Sequence, residues 1–296
     1  MKAGFVALVG RPNAGKSTLL NRFVGQKVAI VSDKPQTTRN RIVGVRNSES
    51  GQLVFIDTPG IHRPLHRMNV RMVDVAVQSI SQADVVCAVA DATEPVGGGD
   101  QYLGTLLSRA SAPLVLALNK IDRLAKPALL PLLEQWSRLA RFQDLVPVSA
   151  LTGENEQALE QALLRHLPEG DPLYPADYLT DQPERSYVAE IIREKVLMHT
   201  REELPFTSAV LVDRFEDAND RGVMRLFCTI LVERESQKPI VIGRGGTMIK
   251  RIGTEAREEL ERFFNVRVYL DLRVKASAGW REDPRLLDQI GVRDDE

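Results

Sequence analysis

Gly10-Arg11-Pro12-Asn13-Ala14-Gly15-Lys16-Ser17 lies almost at the N-terminus, and its reading decides the fold around it. The pattern is glycine, any four residues, glycine, lysine and serine. Before it runs Phe5-Val6-Ala7-Leu8-Val9, an apolar stretch of strand length. After it comes Thr18-Leu19-Leu20-Asn21-Arg22-Phe23, which reads as the first turns of a helix. A strand, a glycine loop and a helix in that order let successive backbone N–H groups point into one concavity. The helix N-terminus adds positive potential there. Gly10, Asn13, Ala14, Gly15, Lys16, Ser17 and Thr18 are thus candidate ligands of a phosphate-bearing molecule. Lys16 is expected to reach β- and γ-phosphates, and the Ser17 hydroxyl to hold Mg2+. The expected ligand is a nucleoside triphosphate.

The chain has 296 residues, enough for about two domains, and 43% of them are hydrophobic, as in proteins with proper cores. Its formal net charge of −1 means that any nucleic-acid site must be local. Cys87 and Cys228 both lie in apolar runs and read as small buried hydrophobes rather than a disulfide or metal site. Met1-Lys2-Ala3-Gly4 leads directly into the first strand, and no apolar run approaches the length of a membrane span. A soluble, cytoplasmic protein is expected.

Ser32 to Arg41 is polar, broken by proline, and reads as a mobile loop. Two short strands are expected next, from Arg41 to Arg46 and from Leu53 to Ile56. The second ends in Asp57-Thr58-Pro59-Gly60. An acid at a strand's C-terminal edge suits a carboxylate linked to Mg2+, and the glycine turn suits a backbone N–H facing a γ-phosphate. By itself such a tetrapeptide is what ordinary turns produce; its place one hairpin after the glycine loop lends it weight.

Further strands are expected over Asp84–Ala90, Pro113–Leu118 and Leu145–Val148, alternating with helices. The middle one ends in Asn119-Lys120-Ile121-Asp122. The Asp122 carboxylate can accept hydrogen bonds from guanine N1–H and the 2-amino group, a donor pair that adenine lacks. A site built so rejects adenine by leaving a carboxylate unpaired. After the last strand, Ser149-Ala150-Leu151 offers backbone N–H groups to the guanine O6. The expected fold is α/β, a doubly wound domain over residues 1–170 that binds GTP and GDP.

Residues 171–183 are rich in proline and acids and read as an inter-domain linker. Residues 184–296 read as helix, strand, strand, helix, helix, strand. A helix is expected over Tyr187–Leu197, strands over Ser208–Phe215 and Met224–Glu233, and a last helix and strand over Thr254–Phe264 and Val266–Val274. Gly243-Arg244-Gly245-Gly246 falls between the two later helices. Its glycines let a nucleic-acid backbone approach the main chain, and the flanking apolar groove suits unstacked bases. Arg234, Lys238, Arg244, Lys250 and Arg251 form a local basic cluster against the single acid Glu235. With Ile242, Gly243, Gly245 and Gly246 they are the candidate RNA-binding residues.

The four motifs of the first domain resemble those of the translation-factor-like GTPases, and the second domain resembles a type II KH domain. Together with Val28-Ala29-Ile30-Val31-Ser32, Gln36-Thr37-Thr38-Arg39, Ile249-Lys250-Arg251-Ile252-Gly253 and Gly279-Trp280, they resemble the Era-like branch of those GTPases over nearly the whole chain. The resemblance implies a GTPase that binds 16S ribosomal RNA near its 3′ end during maturation of the small (30S) ribosomal subunit. It also implies a monomer with no DNA partner, and peripheral association with the inner membrane. Thr38, or else Thr37, is expected to join Ser17 and Asp57 around Mg2+. Ile61 stands where Ras-like proteins carry the glutamine that orients the attacking water. The resemblance then implies that Asn13 ligates a K+ ion in the catalytic site, beside Lys16, Thr38 and Gly60. The competing reading is an RNA chaperone in which bound nucleotide is structural.

Overall fold

Strand β1 (Lys2–Val9) runs through the centre of the first unit, buried almost from end to end. The structure, a computed structural model, describes residues 1–34, 36–62, 67–200 and 203–292. Pro35 of the expected mobile loop and the acidic tail from residue 293 lie outside the described residues. In order, β1 is followed by α1 (Lys16–Val24), β2 (Ile42–Ser48), β3 (Gly51–Asp57), α2 (Arg67–Gln82), β4 (Val85–Asp91) and α3 (Gly98–Leu107). Then come β5 (Leu114–Asn119), α4 (Leu129–Ser137), β6 (Asp144–Pro147) and α5 (Glu156–His166). The sheet order is β2-β3-β1-β4-β5-β6, with only β2 antiparallel to its neighbour.

Near-continuous apolar runs such as Val85-Val86-Cys87-Ala88-Val89-Ala90 suit strands covered on both faces. One face packs Val6, Leu8 and Phe55 against Leu20 and Phe23 of α1 and Leu163 of α5. Phe23 stacks on Phe55 at 4.7 Å between centroids. Burying such a ring contributes about 2–3 kcal/mol. The other face packs Ala7, Val9, Val86 and Leu116 under Ala76 of α2, Leu103 of α3 and Trp136 of α4. Both cysteines are buried, on a strand of each unit, and burial pushes each thiol up to about 12.

Parallel register fixes where the loops emerge. Leu8 pairs with Asp57 and Asp91 with Asn119, so the loops after β1, β3, β4 and β5 leave the same edge of the sheet. That edge is where ligands bind in open α/β sheets.

The chain divides after Asp181: the bulk of residues 1–181 forms one compact unit, and the chain from Gln182 onward forms the core of the second. The segment expected as a linker is accordingly not free over most of its length. The side-chain amide of Gln52, fully buried on β3, accepts from the Leu173 and Tyr174 N–H groups and donates to the Tyr174 carbonyl. The Val45 N–H donates to the Leu179 carbonyl, and Tyr174 and Tyr178 stack together on Val43, Val45, Val54 and Ile56. The strap thus covers the apolar outer face of β2 and β3, and prolines within it do not prevent that.

The second unit contains α6 (Glu184–His199), α7 (Leu204–Thr207), β7 (Ala209–Glu216), β8 (Val223–Val232), α8 (Lys238–Ile242), α9 (Thr247–Phe264), β9 (Arg267–Ala276) and α10 (Pro284–Gln289). Its sheet order is β7-β8-β9, with β8 and β9 parallel. Helix α9 starts at Thr247, not at the expected Thr254. Gly253 is therefore helical, and a Cβ there would stand 3.4 Å from Leu272 of β9, in ordinary contact. Tyr187 of α6 stacks on Phe263 of α9 at 3.9 Å, and the fully buried Trp280 donates its indole N–H to the Thr207 carbonyl.

Gln52→Ala leaves the Leu173 N–H and the Tyr174 N–H and carbonyl without their side-chain partner. It is expected to lower stability by about 2–4 kcal/mol and to expose residues 171–181 to limited proteolysis, read by mapping the cleavage products.

Candidate functional site

The loop after β1 and the first turn of α1 bring the phosphate-type residues together. Ser17 Oγ donates to Asp57 Oδ2 at 2.6 Å and lies 2.8 Å from Thr38 Oγ1. Thr38 Oγ1 is itself 3.4 Å from the same carboxylate oxygen. Of the two threonines it is therefore Thr38 that joins Ser17 and Asp57. Thr38 and Arg39 are buried, so the end of the segment read as a mobile loop is docked. Asp57 is fully buried, and its Oδ1 has no hydrogen-bond partner among the described residues. Burial pushes the Asp57 carboxyl up, while Lys16 and the two hydroxyls pull it down less strongly. One carboxylate, two hydroxyls and an orphaned carboxylate oxygen form a hard-oxygen donor set that suits Mg2+, whose remaining ligands are ordinarily water and phosphate oxygens.

Lys16 Nζ curls back over the loop and donates to the Gly10 and Arg11 carbonyls at 3.2 and 3.1 Å. Burial lowers its pKa to about 8, against the opposing pull of Asp57. Asn13 is exposed on the loop with a left-handed φ of 64°. Ile61 is buried in the core beside Ala7 and Val9, and its N–H donates to the Gly10 carbonyl. No side chain at that position reaches the mouth of the loop. The next residue, His62, was not singled out from the sequence. Its Nδ1 is 2.9 Å from the Gly60 carbonyl, so Nδ1 carries the proton and Nε2 accepts from the Gln36 amide 3.5 Å away. Only the fold brings Gln36 to that ring.

The base-type residues converge as well. Asn119 is buried; its Nδ2 donates to the Ala14 carbonyl at 2.8 Å and its Oδ1 accepts from the Ala150 N–H at 2.9 Å. Asp122 is exposed and accepts from Ser149 Oγ at 2.6 Å. Lys120, in the left-handed region, pairs with Asp91 at the end of β4. The expectation for residues 149–151 is narrowed. The Ser149 and Ala150 N–H groups are already given to the Glu154 carbonyl and to Asn119, so Leu151 keeps the N–H of the three that has no partner among the described residues. Beside it, Thr18, Asn21, Lys27, Ala150 and Leu151 line an open cleft of about 570 Å³.

In the second unit Gly243, Gly245 and Gly246 all have left-handed φ values, which turns the chain sharply between α8 and α9. Arg244 and Gly245 are exposed at the tip, Ile242 is half-buried behind them, and Arg234 is exposed before α8. The basic cluster is partly neutralised. Lys238 pairs with Glu235, and Arg251 pairs with Glu255, an acid one helical turn on that the local charge count left out. Lys250 alone of the expected residues lines an open cleft of about 410 Å³ between α9 and β9. Gly253, Thr254 and Arg257 continue it along α9, and Tyr269, Leu270 and Leu272 wall it from β9. These were missed. Arg257 follows Lys250 at two-turn spacing, a signal once the helix is known to start at Thr247. Nothing in the sequence marks the β9 residues apart from a half-exposed tyrosine.

The fold and the two sites define a phosphate-loop GTPase that carries a KH domain. The family model described as 50S ribosome-binding GTPase matches residues 5–120, and that of the KH domain matches residues 203–281. GTPase Era of Geotalea daltonii is 49% identical over 290 residues, covering 98% of this chain and 97% of that protein. GTPase Era of Heliobacterium modesticaldum is 45% identical over 291 residues, with the same coverage. Among solved structures, a variant of Aquifex aeolicus Era bound to GDP and AlF4- has a TM-score of 0.95 at 40% identity, covering 99% of this chain and all of that one. Era in complex with MgGDPNP and nucleotides 1506–1542 of 16S ribosomal RNA has a TM-score of 0.96 at the same identity and coverage. The chain belongs to the GTPase Era family.

Asn119→Ala removes the bond that holds the Ala150 N–H. Amide hydrogen exchange at Ala150 is expected to speed up by at least about tenfold, while amides in β7–β9 of the second unit keep their protection.

Proposed function

We propose that this GTPase is a nucleotide-switched factor of small ribosomal subunit maturation, which binds 16S ribosomal RNA near its 3′ end through its KH domain. The observation that carries the reading is one chain holding a Ser17–Thr38–Asp57 cluster and an α9–β9 cleft beside a glycine turn. A relative of 40% identity and matching fold was solved with MgGDPNP and a 16S fragment.

In this reading Ser17, Thr38 and Asp57 hold Mg2+, which neutralises charge on the β- and γ-phosphate oxygens. Lys16 leaves the Gly10 and Arg11 carbonyls and turns its ammonium to those same oxygens. The N–H groups of residues 13–18 cradle the phosphates, and Gly60 gives its N–H to the γ-phosphate. Water attacks the γ-phosphorus and the bond to the β-phosphate oxygen breaks, leaving GDP and phosphate. With Ile61 sequestered in the core, Asn13, an exposed residue of the loop, would be the ligand of a K+ ion that supplies charge assistance there. Asp122 reads N1–H and the 2-amino group of guanine, the Leu151 N–H reads O6, and Asn119 braces both loops.

The KH part engages a single strand. Arg244, Gly245 and Gly246 meet the RNA backbone, with Arg234, Lys238 and Arg251 adding charge nearby, and Lys250 and the cleft beyond take bases. The reading puts the protein in the cytoplasm as a monomer. In the same reading any contact with the inner membrane is peripheral; among the described residues no helix is long and apolar enough to cross a membrane.

The switch is tested by titrating a labelled fragment of the 16S 3′ end with full-length protein in MgGDPNP and in GDP. Tighter binding in MgGDPNP is expected, with a loss of about tenfold or more when Arg244→Glu and Gly245→Asp are combined; equal affinities in the two nucleotides would sink the switch. Lys16 supplies a second expectation. It sits near 8 in the free protein, and phosphate contact raises it, so nucleotide binding takes up a proton above about pH 8. The apparent Kd for GDP is expected to be flat below that pH and to weaken by up to about tenfold per unit above it. Calorimetry in buffers of different ionisation enthalpy reads both effects.

A further inference from the structure

Arg22 lies on α1, a turn and a half beyond Lys16 and Ser17, and nothing in the phosphate chemistry uses it. Its guanidinium points across to the loop that follows β6. Nε donates to Glu156 Oε2 at 2.7 Å, Nη1 to the Leu151 carbonyl at 3.3 Å and Nη2 to the Thr152 carbonyl at 3.1 Å. One planar, permanently charged group thus fixes two successive carbonyls and is itself held by an acid in the first turn of α5. The fork has room because residue 153 is glycine. Its φ is 86°, and a Cβ there would stand 1.9 Å from Nη2.

The two anchors bracket one peptide group. On one side Asn119 Oδ1 holds the Ala150 N–H; on the other Arg22 holds the Leu151 carbonyl. Between them stands the Leu151 N–H, which has no partner among the described residues, on a residue whose side chain is 69% exposed. A loop of this kind, left to itself, samples several peptide orientations. Fixing the carbonyl on one side and the N–H on the other removes that freedom before a ligand arrives, so less ordering cost is met on binding.

We propose that Arg22 is a positioning residue for guanine recognition: with Glu156 and Gly153 it clamps the 149–152 loop so that the Leu151 N–H faces the 6-oxo group of the base. The proposal rests on the assignment of Asp122 and Leu151 to the base. Arg22 touches neither base nor phosphate and acts through the loop carbonyls. It adds a discrimination on the 6-position that is separate from the one Asp122 makes at N1 and the 2-amino group.

The test uses full-length protein and three probes: GDP, IDP lacking the 2-amino group, and 2-aminopurine riboside 5′-diphosphate, which lacks the 6-oxo group and with it the N1–H. The wild-type chain is expected to prefer GDP to both. Arg22→Ala should weaken GDP by about tenfold and the 2-aminopurine nucleotide by less than about threefold. The ratio of GDP to the 2-aminopurine nucleotide therefore falls by the share that the 6-oxo contact supplies, while the share from N1–H and the ratio of GDP to IDP, both of which read Asp122, hold. A general loss of structure would weaken all three alike. Arg22→Lys, which reaches one carbonyl but cannot span two, should recover part of the preference. Gly153→Ala displaces the fork without touching Arg22 and should reproduce the Arg22→Ala ratios, which also serves if Arg22→Ala melts too low to titrate. An unchanged ratio of GDP to the 2-aminopurine nucleotide in both variants overturns the clamp. A wild-type chain that binds those two equally overturns the base assignment beneath it, and the clamp falls with it.

Discussion

One buried side chain stitches the first unit's site together. Asn119 stands at the end of β5, donates to the Ala14 carbonyl in the glycine loop and accepts from the Ala150 N–H in the loop after β6. Those two loops are 136 residues apart in the chain, and the parallel register of β1, β4 and β5 carries both to the same sheet edge. An asparagine suits this place because its amide offers a donor and an acceptor in one plane, and both are satisfied. The bridge ties the glycine loop to the loop that carries the base-type residues. Asp122 follows three residues later and takes its own brace from Ser149.

A second constraint acts on the same sheet from the other side. β2 follows Thr38 directly, and it is tied by the strap that ends at Asp181, through the Val45 N–H and the stacked pair Tyr174 and Tyr178. The Asp181 carboxylate accepts from the Val43 N–H and lies 3.9 Å from the Arg41 guanidinium. The end of the strap is thus bonded to the strand that follows the Ser17–Thr38–Asp57 cluster.

The charge pattern of the KH unit follows a similar economy. Lys238 and Arg251 spend their charge on Glu235 and Glu255, while Arg244 stands exposed at the glycine turn. Exposed pairs of this kind are worth little to stability, and a phosphate can compete for either cation. The site combines a modest electrostatic pull with a shaped cleft, in keeping with a net charge near neutrality.

By itself the sequence determined the α/β alternation, the order of the four nucleotide motifs and the place of the KH unit, and it singled out Ser17, Asp57 and Asp122 as candidates. Those were legible because each rests on local spacing: a strand of apolar residues, then glycine or an acid at its end. Thr38 was preferred to Thr37 on the resemblance alone, since adjacent threonines offer the same hydroxyl; the fold buries Thr38 and brings it within 2.8 Å of Ser17. The last helix was expected from Thr254 and begins at Thr247, and the glycine within it is a weak helix former by local propensity. That the linker is docked on β2 and β3 was not legible, because proline and acids say nothing about a buried glutamine 121 residues earlier. Likewise the Arg22 clamp, His62 beside Gly60 and the β9 wall of the cleft join residues far apart in the chain. Only tertiary structure decides such pairings, because burial and hydrogen-bond geometry are properties of neighbours in space.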